Sequence, residues 1–87
     1  MSGSSQNPKA VWLRMDRPVV PVDISISNHL EAVEDALSRG VLATADASRP
    51  GFYEFEVGDS WYYIHIPCRI VGVYLIAAAR AEVASLA

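Results

Sequence analysis

Cysteine occurs only once in this chain, at Cys68, so no internal disulfide can close and a disulfide-stapled secreted scaffold is excluded. Long apolar runs are missing too. The longest, Ile70 to Ala79, is about ten residues, half of the roughly 20 that a membrane-spanning helix needs, and it reads as a core element. Basic clusters are absent: Lys9, Arg14, Arg17, Arg39, Arg49, Arg69 and Arg80 are scattered, and ten acidic residues leave a net charge of −3. Without a cationic stripe the chain lacks the phosphate-neutralising footprint of a DNA- or RNA-binding surface, and its acidic balance disfavours an anionic membrane. The opening residues, MSGSSQNPK, hold no apolar stretch of the secretory type, so the cytoplasm is the expected location. No GxGxxG, GxxxxGK, HExxH or calcium-loop pattern occurs, and no cofactor is expected.

What is present is apolar surface. Of 87 residues, 52% are hydrophobic and 20% charged, a profile far from disorder and large enough for one core but not for two domains. That balance also favours covering some surface with a second copy or another protein. Residues 1–8, rich in Ser, Gly and Asn, are expected to form a disordered tail, with residues 9–87 as a single small α+β domain.

The hydrophobic periodicity predicts the elements. Ala10 to Met15 reads as a strand with Val11, Leu13 and Met15 on one side and Trp12 and Arg14 on the other. Val20, Val22, Ile24 and Ile26 alternate with Pro21, Asp23, Ser25 and Ser27, which predicts a second strand with the aliphatics inward, placed at an edge or with the Pro21 position presented to solvent because Pro21 cannot donate to a ladder. The period then changes. Asn28 and Glu31 have capping-box spacing, Leu30, Val33, Ala36 and Leu37 form a helical stripe, and Arg39-Gly40 suits a helix end, so the main helix spans about 28–39. Val41 to Thr44 reads as a short strand and Ala45 to Gly51 as a loop. Ile70 to Ile76 reads as a strand buried on both faces, with Gly72 as the point of close approach or bulge, and the Ala-rich segment Ala77 to Ala87 as a short C-terminal helix. The expected fold is α+β: a mainly antiparallel sheet of five to six strands with the helix packed on one face.

Phe52 to His65, FYEFEVGDSWYYIH, is the most informative segment. Gly58-Asp59 suits a type II′ turn between Phe52 to Val57 and Ser60 to Ile66. Side chains alternate across strands, so Tyr53, Phe55 and Val57 share a face with Tyr62, Ile64 and Ile66, and Glu54 and Glu56 share the other with Trp61, Tyr63 and His65. Trp and Tyr anchor interfaces because each offers a large rigid area and one polar handle. The plainer explanations are that the C-terminal helix covers this face, or that the rings are cross-strand pairs on a solvated sheet.

Other constellations are incomplete. His65 and Cys68 supply two metal ligands where zinc takes three or four, so no metal is expected. A Cys-His nucleophile lacks an orienting third group, and Cys68 reads as a small buried hydrophobe. Glu54 and Glu56 have the spacing of a carboxylate pair without the cleft that glycoside chemistry needs. The reading that results is a non-catalytic binding or protein-protein interaction module, self-associating through Glu54, Glu56, Trp61, Tyr63 and His65 or through a sheet edge. The alternative is a small enzyme or metabolite-binding protein with a shallow pocket around Trp61, Tyr63, His65 and Glu54, with His65 as general base.

Overall fold

A computed structural model describes residues 9–68 and 72–80. The chain forms β1 (Lys9–Leu13), β2 (Val19–Pro21), a 3₁₀ helix (Ile24–His29) running directly into α1 (Leu30–Arg39), then β3 (Val41–Ala45), β4 (Phe52–Val57), β5 (Ser60–His65) and β6 (Val73–Arg80). The six strands make one sheet in the order β1-β3-β4-β5-β6-β2. Every pairing is antiparallel except β2 with β6, which is parallel. The expected α+β class, strand number and main helix are therefore all present, and β2 with its Pro21 lies at an edge.

The helix lies on one face of the sheet because its apolar stripe has a matching set to pack against. Val33, Ala36 and Leu37 are buried with Leu13, Val19, Ala43, Phe55, Tyr62, Ile64, Val73 and Leu75 in a single core. Backbone and side-chain bonds fix its position: the Met15 amide donates to the Leu37 carbonyl (2.9 Å), and the Val19 amide donates to Glu34 Oε2 (3.1 Å). The helix ends at Gly40, whose φ of +99° is open to glycine and strained for other residues. The indole of Trp12 also occupies the space a side chain at Gly40 would need.

Five expectations are corrected. The alternation from Val20 to Ile26 does not make a long strand: β2 stops at Pro21, Val19 is buried, Val20, Val22 and Ile24 are 44%, 56% and 84% exposed, and of the four only Ile26 packs against the core, from the 3₁₀ helix. The reason is local competition, since the Asp23 carboxylate accepts from the Ser25 amide at 2.9 Å and starts the 3₁₀ helix in place of a ladder. This bond also lowers the Asp23 pKa. That early start moves the helix entry upstream of Asn28, so no Asn28 capping box forms, and α1 begins without a side-chain cap. At the other end, Ala77 to Arg80 continue β6 instead of opening a helix, because they pair with Ser60 to Tyr63 of β5; the rest of the expected C-terminal helix, like the expected tail at residues 1–8, lies outside the described residues. Within β6, Val73 and Leu75 are buried while Tyr74 and Ile76 are half-buried, so the strand is covered more fully on one side than on the other. Its register shift falls at Ile76, the extra residue between Leu75 and Ala77, and not at Gly72.

The two faces should respond differently to truncation. Leu37→Ala, beneath the sheet, is expected to lower the unfolding free energy by about 2–5 kcal/mol, the usual range for a buried leucine. Leu42→Ala, on the opposite face at 63% exposure, is expected to change it by less than about 0.5 kcal/mol. Urea unfolding of both variants followed by circular dichroism makes the comparison, and equal losses would contradict the one-sided core.

Candidate functional site

The β4–β5 hairpin closes through Gly58-Asp59, with Val57 paired to Ser60. Gly58 has φ +61° and Asp59 is not at positive φ, the combination a type II′ turn requires. This turn sets the register Phe52–His65, Glu54–Tyr63 and Glu56–Trp61. All five expected residues, Glu54, Glu56, Trp61, Tyr63 and His65, consequently stand together on the face opposite α1, while Phe55, Tyr62 and Ile64 enter the core.

On that face the rings form a ladder. Trp61 stacks on Tyr63 at 6.1 Å between centroids, Tyr63 on Phe52 at 5.6 Å, Phe52 on His65 at 4.1 Å, and His65 on Tyr74 of β6 at 6.5 Å, with interplanar angles of 10° to 26°. Parallel rings at these spacings cover one another's faces, so each is only half-buried. The face continues on both sides through paired residues: Thr44 beside Glu54, Leu42 and Trp12 beyond it on β3 and β1, and Val20 beside Tyr74 on β2. Trp12 is 62% exposed and Leu42 63%.

Polar groups hold the ladder from its edges. The Trp61 Nε1–H donates to Glu54 Oε1 at 3.1 Å, and the Tyr63 hydroxyl donates to Asp46 Oδ2 at 2.5 Å. The other Asp46 oxygen accepts from the Ser48 amide (3.0 Å) and hydroxyl (2.8 Å). These bonds to the ionised form, that from Tyr63 first, hold the Asp46 carboxyl below the usual carboxylate range; the same bond raises the Tyr63 phenol above its ordinary value. The Arg49 guanidinium lies over the Phe52 ring at 4.1 Å and the Tyr63 ring at 5.9 Å. His65 Nδ1 is 3.1 Å from the Gly51 carbonyl, which only accepts, so the proton of that bond sits on Nδ1.

Phe52, Tyr74, Arg49 and Asp46 are the residues of the site that sequence reasoning left out. Phe52 shares Glu54's parity and was within reach of the alternation. The other three come from β6 and the 46–51 loop, and only the sheet pairing and the loop's path bring them to the hairpin. A hollow of about 310 Å³ on this face is lined by Leu42, Thr44, Glu54, Phe55, Glu56 and Trp61; Tyr63 and His65 lie outside its lining. Cys68 is exposed rather than buried. Among the described residues no group of three His, Cys, Asp or Glu side chains is placed to hold a metal ion, and no helix is long and apolar enough to cross a membrane. Comparison with protein-family models, curated proteins and solved structures finds no match, so the site is read from its own geometry.

The Asp46–Tyr63 bond should be visible as pH dependence. A carboxyl with a depressed folded pKa contributes stability that is complete above its unfolded value near 4 and is lost as pH falls through the lower folded value. Tyr63→Phe is expected to raise the Asp46 pKa, measured by carboxyl-carbon NMR titration, and to flatten the loss of stability on acidification below about pH 4. An unchanged Asp46 titration would mean that the bond contributes nothing in solution.

Proposed function

We propose that this chain is a non-catalytic interaction module that associates, in the first instance with itself, through the aromatic and acidic face of the β4–β5 hairpin. The observation that carries the reading is the ring ladder Trp61, Tyr63, Phe52, His65 and Tyr74, which stands on the face opposite α1 and is continued by the exposed Trp12 and Leu42. Apolar faces of this breadth on a folded domain mark contact surfaces, and rigid rings lose little entropy when they dock. Glu54 and Glu56 add polar groups that set which partner fits.

The catalytic alternative has less support. A general base at His65 working with Glu54 needs both groups at one hollow, and the hollow that contains Glu54 and Trp61 does not extend to His65. Its own volume, about 310 Å³, is at the lower bound for a small-molecule site.

Light scattering coupled to size exclusion, over a dilution series of the whole chain, tests the reading. The expected result is a mass above that of the 9.5 kDa monomer which falls on dilution. Trp61→Ser is expected to shift the midpoint to at least about tenfold higher concentration while the far-ultraviolet spectrum stays that of the wild type. Association that is indifferent to Trp61→Ser would overturn the assignment of this face, and loss of the fold would identify Trp61 as a structural residue.

A further inference from the structure

We propose that two copies of this chain pack face to face with their strands antiparallel, so that Arg49 of each copy meets Glu56 of the other. The inference rests on the interaction reading above and adds the occupant's orientation. Its basis is the distribution of charge along the ladder. Glu56 pairs with Trp61 at the turn end of the hairpin, Glu54 with Tyr63 in the middle, and Phe52 with His65 at the far end, where Arg49 covers the Phe52 ring. Four residues of strand, about 13 Å, separate Glu56 from the Phe52 ring that carries Arg49, and the Asp46 carboxylate, bonded to Tyr63, also lies near that guanidinium. Among the described residues, Arg49, Glu54 and Glu56 form no ion pair; the ion pair there joins Arg39 to Asp35 on the helix.

A self-complementary contact must obey two-fold symmetry. If the axis ran along the strands, it would set Glu56 over Glu56 and Arg49 over Arg49, a like-charge arrangement at both ends. An axis lying between the sheets, perpendicular to the strands and near the Glu54–Tyr63 pair, reverses one copy and sets each Arg49 over a Glu56; Glu54 meets its own copy under either axis and does not distinguish them. Charge complementarity selects the second. Sheets stacked about 10 Å apart would interleave the two ladders edge to edge. Extent points the same way. A hairpin two strands wide is too narrow for the roughly 800 Å² per partner of a stable interface, whereas six strands about 4.8 Å apart present a face of that order. Trp12 and Leu42 at one wing and Val20 at the other, all exposed, fall within it.

The test is a charge exchange followed by sedimentation equilibrium of the whole chain: wild type, Arg49→Glu, Glu56→Arg, and the two together. Each single change creates two like-charge contacts in the antiparallel pair and is expected to weaken the dimer at least about tenfold, while the double change restores affinity to within about threefold of wild type. Circular dichroism of each variant reports that the monomer is folded. A dimer weakened by Trp61→Ser but unmoved by the single charge changes would overturn the antiparallel arrangement and leave the face assignment standing. Single changes that weaken the dimer without rescue in the double would also overturn it. A wild type that stays monomeric at every concentration overturns the second copy as occupant, and with it self-association through this face.

Discussion

A one-residue slip between β4 and β5 would turn Tyr62 and Ile64 out from under α1 and bring Trp61, Tyr63 and His65 round in their place, because side chains alternate with a period of two. Both the core and the candidate site therefore depend on one register, and that register is set by a turn of two residues. Gly58 supplies the positive φ and Asp59 completes the loop, which leaves Val57 opposite Ser60 and all later pairs determined. The buried set on one side and the ring ladder on the other are two consequences of the same pairing.

The helix makes the sheet asymmetric. Val33, Ala36 and Leu37 fill one face, and the bonds from Met15 to Leu37 and from Val19 to Glu34 hold α1 against it from both sides. On the other face the rings shield one another by stacking, with Arg49, Asp46 and Glu54 occupying the polar positions around them. Ring orientation is limited by stacked neighbours and, for Trp61, Tyr63 and His65, by hydrogen bonds, which under the proposed association would order the face in advance. Preorganisation of this kind lowers the ordering cost of association.

Where sequence reasoning succeeded, the information was local. The hairpin needs only six residues on each side of a turn, and α1 needs only its own stripe and Gly40. Where it failed, a nonlocal pairing or a competing short-range bond decided. Val20, Val22, Ile24 and Ile26 have the alternation of a buried strand, yet the Asp23 carboxylate bonded to the Ser25 amide ends that strand at Pro21. Ala77 to Arg80 have the composition of a helix, yet they lie beside β5, and the sheet pairing outweighs an intrinsic preference of less than about 1 kcal/mol per residue. Arg49 and Asp46 sit in a loop whose composition says only that it turns. Their role appears once the 46–51 segment folds back to place a guanidinium over Phe52 and a carboxylate beneath the Tyr63 hydroxyl.

Alternation and helical spacing already group the side chains that travel together: Glu54, Glu56, Trp61, Tyr63 and His65 on one side of a hairpin, and Val33, Ala36 and Leu37 on one side of a helix. Periodicity carries that much because it is a property of the local backbone. Nonlocal packing settles which of the hairpin's two faces the helix covers, that β6 rather than a helix flanks β5, and that Tyr74, Arg49 and Asp46 join the rings. Those outcomes depend on how strands distant in sequence pair and on which apolar surfaces bury one another, and neither is a function of any single segment.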